Sequence, residues 1–200
     1  MTALFSSNSK KKIFILLGQE DKDTFGGHLA DAYEKGAKDN GHEVRRANIG
    51  DLKFDPILHK GYKVIQELEP DLKQVQEDIK WADHVVILYP TWWSSMPAIL
   101  KGFFDRTWIP GFAYHFFKNG MGWHGLLHGK SARVIITMDN WPIVSRMLFG
   151  DSTNEISRAI LKFSGFRPVR VKKIGALRHA DDPAKQAWTD VVYKLGKNAR

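Results

Sequence analysis

The chain contains an uninterrupted apolar run, Val85-Val86-Ile87-Leu88-Tyr89, that ends at Pro90. A strand with apolar side chains on both faces cannot lie against water, so this run predicts a central strand of a parallel sheet with helices on both sides. Proline has no N–H for the next ladder hydrogen bond, and the strand is therefore predicted to end there. Such a strand is typical of an α/β fold.

Further strands and helices alternate with this central strand. The apolar pattern predicts the other strands over 13–17, 43–49, 132–137 and 169–174. Helices are predicted near Thr24, Pro70, Pro97, Ser152 and Asp182, where capping or first-turn residues precede apolar residues at helical spacing. Ser152 and Glu155 have the spacing of a capping box. The order of elements predicts a doubly wound, five-stranded parallel α/β sheet with helices on both faces.

The composition is that of one domain. The chain has 200 residues, of which 43% are hydrophobic and 26% charged, and this is enough for one sizeable core. We expect a disordered tail over 1–11 and a single domain over 12–200. The apolar run 13–17 is too short for a signal sequence or a membrane span, so we expect a cytoplasmic protein without membrane insertion. The absence of cysteine excludes disulfides, thiolate metal sites and a cysteine nucleophile.

The formal net charge of +8 admits a nucleic-acid partner. The lysines and arginines are scattered along the chain, however, and form no dense basic run. The charge therefore favours attraction of anionic small molecules such as nucleotide phosphates, and we expect no nucleic-acid binding.

Ligands of doubly wound sheets bind at the carboxyl ends of the strands, so the loops 18–24, 90–96 and 137–150 are the candidate site. In the first loop, Gln19, Thr24 and Gly26 precede or begin a helix whose free N–H groups favour a phosphate. From the residues alone, an ordinary N-cap by Asp23 or Thr24 is the better explanation. The second loop carries Trp92 and Trp93. Adjacent residues cannot both face one core, and the pair favours contact with a flat apolar ligand that has polar edges.

The connection from 107 to 130 is long, rich in aromatic residues and predicted to be irregular. Its aromatic side chains either pack over the domain or form a subunit interface. Residues 120–125 match the pattern G-x-G-x-x-G, but no strand precedes them, so a turn-rich surface loop is the better interpretation. His124 and His128 have the spacing of helical zinc ligands, but no third ligand is evident and we expect no metal site.

One ensemble of motifs resembles the NAD(P)H:quinone oxidoreductases, the DT-diaphorase-type flavoproteins with a flavodoxin-like fold. Its most specific part is Leu88-Tyr89-Pro90-Thr91-Trp92-Trp93, followed by Pro97-Ala98-Ile99-Leu100-Lys101-Gly102-Phe103-Phe104-Asp105-Arg106 and by Gly111-Phe112-Ala113-Tyr114. The resemblance covers nearly the whole chain from Lys12.

The resemblance implies a homodimer with a flavin at the interface, FAD or alternatively FMN, and NAD(P)H as co-substrate. It places the flavin phosphate at Gln19, Thr24, Phe25 and Gly26, and the isoalloxazine beside Pro90, Thr91, Trp92, Trp93 and Ser94. It places the pyrimidine edge at Thr137, Met138, Asp139 and Asn140. Tyr114 and Phe116 would form a lid over the partner's substrate pocket, and Phe149 would lie where members of the family have a histidine.

The implied activity is hydride transfer from NAD(P)H through the flavin to a small-molecule acceptor: a quinone, a nitroaromatic or an azo compound. This sequence departs from the family pattern, which has histidine at Gln19 and two glycines at Asp139-Asn140, and no catalytic side chain is assigned. A flavodoxin-type electron carrier and a flavin-binding ancillary subunit of an ion efflux system are the alternatives. Carriers of that type are usually acidic, which disfavours the first alternative.

Overall fold

The centre of the molecule is a parallel sheet, described by a computed structural model over residues 10–118 and 120–200. The strands are β1 (Lys12–Leu17), β2 (Glu43–Asn48), β3 (His84–Pro90), β4 (Tyr114–Phe116), β5 (Trp123–Gly125), β6 (Ser131–Thr137) and β7 (Val169–Ile174). Five of them form one sheet in the order β2-β1-β3-β6-β7, and β4 pairs with β5 separately. The run 85–89 therefore lies in the middle strand, as its two apolar faces predicted.

Helices cover both faces of this sheet. They are α1 (Phe25–Asp39), α2 (Pro70–Trp81), α3 (Ala98–Thr107), α4 (Pro142–Phe149), a π-helix (Glu155–Lys162) and α5 (Asp182–Lys197). Along β1, Ile13 and Ile15 belong to the core beneath α1 and α5, whereas Phe14 and Leu16 belong to the core beneath α2, α3 and the π-helix. The predicted doubly wound α/β sheet is confirmed.

Helices α1 and α5 approach each other through a pair of glycines. A Cβ atom on Gly36 would lie 2.1 Å from the carbonyl oxygen of Tyr193, and a Cβ atom on Gly196 would lie 2.1 Å from that of Tyr33. Each glycine thus lies against the backbone of the opposite helix. The two helices can pack at this distance because neither position carries a side chain.

The connection between α3 and β6 is more ordered than its sequence predicts. Strands β4 and β5 form an antiparallel hairpin in which Tyr114 pairs with Gly125 and Phe116 with Trp123. Trp123 stacks on Phe163, with ring centroids 4.5 Å apart, and its Nε1 donates to the Phe163 carbonyl at 3.0 Å. The expectation of an irregular segment over 107–130 was wrong here, because three-residue strands are too short to show a strand periodicity.

The predicted capping box at Ser152 does not form. The Asp151 carboxylate accepts the Thr153 N–H and hydroxyl at 3.0 and 2.7 Å, while the Glu155 side chain accepts a hydrogen bond from Ser95. The Thr153 hydroxyl, with Lys173 close by, lowers the pKa of Asp151 to about 2. Asp151 therefore holds Thr153 just before the π-helix begins, and the Glu155 side chain bonds to Ser95 rather than to the backbone of Ser152.

The expected disordered tail over 1–11 falls for the most part outside the described residues. Within them, the Lys11 N–H donates to Nδ1 of His42 at 3.1 Å. No helix in the described ranges has both the length and the apolar character needed to cross a membrane.

Candidate functional site

A cavity of about 410 Å³ lies where β3 and β6 end. These neighbouring strands run parallel, with Pro90 opposite Thr137, so the segments that follow them leave the same edge of the sheet. The lining residues come from both segments, from α4 and from the turn after β7: Pro90, Thr91, Trp92, Trp93, Ser94, Thr137, Met138, Asp139, Asn140, Ser145, Phe149 and Leu177. The structure thus brings together ten residues that the sequence predicted for the isoalloxazine, its pyrimidine edge and the position of the family histidine.

One wall of the cavity is a tight turn. Trp92 and Ser95 exchange both backbone hydrogen bonds at 2.9 Å, and the two residues between them, Trp93 and Ser94, have φ angles of 50° and 60°. Positive φ at both central positions is the geometry of a type I′ turn, which normally contains asparagine and glycine. The turn exposes the whole Trp93 side chain at the cavity rim.

This turn is held from outside by hydrogen bonds at both of its ends. The Thr91 N–H donates to the carbonyl of Thr137 at 2.8 Å, which joins the turn to the opposite wall. Ser95 Oγ donates to Oε2 of Glu155 at 2.9 Å, across 60 residues of sequence. The turn is therefore fixed both to the sheet edge and to the beginning of the π-helix.

The opposite wall is the segment 137–140. The Met138 N–H and carbonyl bond to Ile174 and Leu177, and the Asn140 carbonyl accepts the N–H of Ala176. In the ranges that the structure describes, the N–H groups of Asp139 and Asn140 donate to no protein atom. The wall is thus joined to the residues that end and follow β7, and it leaves amide donors available to a ligand.

Two hydroxyl groups near the cavity lack partners. Thr91 Oγ1 and the Tyr89 hydroxyl are buried, and neither makes a hydrogen bond to a described residue. Burial, and secondarily the nearby Glu155 carboxylate, raises the pKa of Tyr89, so this phenol remains protonated. An unpaired buried hydroxyl costs free energy that a bound polar group recovers, and Thr91 also lines the cavity.

The loop after β1 contains the predicted phosphate residues. Gln19 is buried, and its Nε2 donates to the Asp21 carbonyl and to Oγ1 of Thr24. Thr24 in turn accepts the Gly27 N–H at 3.2 Å as the N-cap of α1. A Cβ atom on Gly26 would lie 2.6 Å from Gln19 Oε1. The structure brings Gln19, Thr24 and Gly26 together, although they do not line the cavity.

The remaining predicted residues lie elsewhere. Phe25 lines an open groove between α1 and α5. Tyr114 and Phe116 lie on the hairpin and border a second, apolar cavity of about 480 Å³, together with Tyr62, Val64 and Ile65. Within one chain, the residues predicted for the flavin and for the lid therefore do not share a cavity.

The hairpin and the turn contact opposite ends of the π-helix. Tyr114 and Trp123 pack on Phe163, which follows the last residue of that helix, whereas Ser95 bonds to Glu155, its first residue. The length of this helix thus separates the lid residues from the turn.

Ser145 and Leu177 also line the cavity. Ser145 lies within the predicted loop 137–150 but was not singled out, and Leu177 was not predicted. Leu177 follows β7, the strand next to β6, so the rule that ligands bind at strand carboxyl ends could have identified it. Among the described residues, no group of three or more histidine, aspartate or glutamate side chains is placed to hold a metal ion.

Comparisons with known proteins agree with the fold. A family model described as a flavodoxin-like fold matches residues 11–195. An uncharacterized NAD(P)H oxidoreductase of Haemophilus influenzae is 29% identical over 176 residues, which are 84% of this chain and 85% of that protein. NAD(P)H dehydrogenase [quinone] 1 of Rattus norvegicus is 24% identical over 200 residues, covering 88% and 72% of the two chains.

A solved structure has the same fold. The NAD(P)H:quinone oxidoreductase from Methanothermobacter marburgensis superimposes with a TM-score of 0.82 at 22% identity, over 96% of this chain and all of that one (100%). The chain therefore belongs to the flavodoxin-like fold family, and it is similar to proteins named NAD(P)H oxidoreductase and NAD(P)H dehydrogenase [quinone].

Proposed function

We propose that this protein is a flavin-dependent oxidoreductase that passes two electrons, as hydride, from NAD(P)H to a quinone or a similar acceptor such as a nitroaromatic or azo compound. The observation that carries the proposal is the cavity at the ends of β3 and β6. It combines a tryptophan wall, free amide donors and an unpaired threonine hydroxyl. The names of the matched relatives support the same reaction.

The lining residues fit the flat tricyclic ring of a flavin. Trp92 and Trp93 offer an apolar wall for its face. The N–H groups of Asp139 and Asn140, with Thr91 Oγ1, can donate to its polar pyrimidine edge. Bound there, the flavin would supply the two-electron chemistry, and the protein would supply position and electrostatics.

The amide donors of the 137–140 segment would stabilise negative charge on that edge, as an oxyanion hole does. The Asp139 carboxylate acts in the opposite direction. Its side chain is exposed, so solvent and salt screen most of its charge. The amide groups are held in place by the backbone hydrogen bonds of Met138 and Asn140.

We place the phosphate end of the cofactor at the N-terminus of α1, with FAD preferred and FMN as the alternative. The N–H groups of Phe25 and Gly26 lie in the first turn, where no carbonyl of the helix can accept them. This loop and the cavity lie at the same edge of the sheet, because the Gly18 N–H donates to the Leu88 carbonyl of β3 at 2.7 Å.

We also propose a cytoplasmic homodimer in which each chain's hairpin covers the partner's cavity. Two observations support it: Tyr114 and Phe116 do not reach the cavity of their own chain, and Phe116, Phe117 and Trp123 are exposed on the hairpin. A monomer rarely leaves such an aromatic surface uncovered.

The proposal is tested by releasing any bound cofactor with heat and identifying it by mass, then measuring NAD(P)H oxidation with menadione. Because donor and acceptor would occupy the same face in turn, initial rates at several fixed acceptor concentrations should give parallel double-reciprocal lines. A protein that neither carries nor takes up FAD or FMN, or that does not oxidise NAD(P)H, would contradict the proposed function.

A further inference from the structure

The turn Trp92–Ser95 holds two ordinary residues in a conformation that glycine prefers. Trp93 and Ser94 both have positive φ, 50° and 60°. The left-handed region is unfavourable for residues with a Cβ atom, and such strain persists only where the surrounding structure imposes it. Something outside the turn must therefore balance this cost.

Two contacts meet this need: the backbone bond from Thr91 to Thr137, and the hydrogen bond from Ser95 Oγ to Glu155, which joins side chains and can therefore be removed by substitution. The bond to Glu155 is 2.9 Å long and partly buried, and its acceptor is a carboxylate, so it belongs to the stronger class of hydrogen bonds. Glu155 is the first residue of the π-helix. The next residue, Ile156, is fully buried in the core (0% exposed), so the anchor itself is fixed.

We propose that Glu155 is a positioning residue: through Ser95 it holds the strained turn in the shape that presents Trp93 to the flavin, and it thereby sets how long the flavin stays bound. The inference rests on the proposed function. Glu155 lines no part of the cavity, so its effect reaches the flavin only through the turn. Without the bond, the turn relaxes to an ordinary negative-φ conformation and moves Trp93 away from the cavity rim.

The test measures flavin release from purified holoprotein after dilution, followed by the rise in flavin fluorescence. Glu155→Ala and Ser95→Ala each remove the bond and should speed release about tenfold, a change within the range of one hydrogen bond to a charged group. The double variant should be no faster than either single variant, because both remove the same bond. Glu155→Gln retains an acceptor oxygen and should keep release within about threefold of wild type.

The matched control is Glu77→Ala. Glu77 forms an exposed pair with Lys80 on α2, at 2.8 Å, and its loss should leave release unchanged. A second variant separates the turn from general damage to the π-helix. Ser94→Gly removes the penalty for positive φ at that position. In a protein that already carries Ser94→Gly, adding Glu155→Ala should therefore speed flavin release much less than it does in the wild-type protein. Damage to the helix would not be repaired by a glycine in the turn.

The inference would be overturned if Glu155→Ala released flavin at the wild-type rate, or if Ser94→Gly did not reduce the effect of Glu155→Ala. Flavin binding by the wild-type protein would still support the proposed function in that case. Absence of flavin from the wild-type protein, even after incubation with FAD and FMN, would overturn the proposed function itself. The flavin content of the wild-type preparation therefore distinguishes the two failures.

Discussion

Trp93 extends a large apolar side chain into solvent at the rim of the cavity. Folding gains nothing from this exposure, since the residue is 101% exposed and its φ of 50° is unfavourable. A ligand that covers the indole would recover apolar area at roughly 25 cal/mol per Å². The arrangement is typical of a residue retained for binding.

We therefore expect Trp93→Ala to weaken flavin retention about tenfold or more, measured by equilibrium dialysis, because the variant loses most of the ring's contact area. Thermal stability should not fall, since the side chain packs on nothing. Trp141→Ala is the control: Trp141 is also exposed, at 65%, but lines no part of the cavity. Wild-type flavin content and turnover in Trp93→Ala would refute the assignment of the turn.

His84 is a buried titratable group outside the site. Its Nδ1 lies 2.8 Å from Ser131 Oγ, and Nε2 has no partner among the described residues. Burial, with the positive charges of Lys11, Arg133 and Arg170, lowers the pKa of His84 from 6.5 to about 3. The imidazole is therefore neutral in the folded protein at any pH above that value.

This predicts a direction for the dependence of stability on pH. Between the unfolded pKa of 6.5 and the folded value of about 3, the unfolded chain binds a proton that the folded chain excludes. The free energy of unfolding should thus fall as the pH falls through this window, by about 1 kcal/mol per pH unit. Urea unfolding at pH 7.5 and at pH 5 measures the difference in this free energy. In His84→Asn the free energy of unfolding should depend less on pH, and an equal slope in both proteins would contradict the prediction.

At the scale of elements, the close contact of α1 with α5 reverses a common rule. Replacing glycine by alanine inside a helix usually stabilises it by about 1 kcal/mol. Here the added methyl groups of Gly36→Ala and Gly196→Ala would each lie 2.1 Å from a carbonyl oxygen of the opposite helix. The helices must move apart, and overpacking of this kind costs about 1–3 kcal/mol.

We expect both substitutions to lower the free energy of unfolding, and the double variant to lose less than the sum, because the first methyl group already separates the helices. Urea unfolding followed by circular dichroism measures this. Lys38→Ala on the exposed face of α1 loses only its pair with Glu34 and should cost about half a kcal/mol at most. A stabilising effect of Gly36→Ala would show that the helices are not held at this distance.

Elements with a clear periodicity could be predicted from the sequence, and others could not. The strand 85–89 and the helix at Pro70 have strong apolar patterns, and both were confirmed. Helix α4 was not predicted because it has only eight residues and buries none of them: its apolar residues Ile143, Met147 and Leu148 are all exposed, so it lacks the core-facing stripe by which a helix is recognised. In the site, the adjacent tryptophans indicated the turn, whereas Leu177 is an ordinary apolar residue that only its position after β7 connects with the cavity.

At the scale of the molecule, the exposed aromatic residues of the hairpin lead to a prediction about assembly. Light scattering should show a dimer, and Phe116→Glu should raise the monomer fraction and reduce turnover together, because a buried charge at the interface is costly. Lys194→Glu is the control, since Lys194 is exposed near the end of α5, a different surface. A wild-type monomer with full activity would contradict a pocket shared between subunits.

Because the π-helix separates the lid residues from the cavity of the same chain, two inactivating substitutions in different chains can complement each other when subunits exchange. If each working site takes its turn from one chain and its lid from the other, Trp93→Ala and Phe116→Ala damage different halves of the site. A mixed dimer of the two then has one site with both defects and one with none. After random exchange, half of the dimers are mixed, so about a quarter of all sites should be intact, and the mixture should be more active than either variant alone.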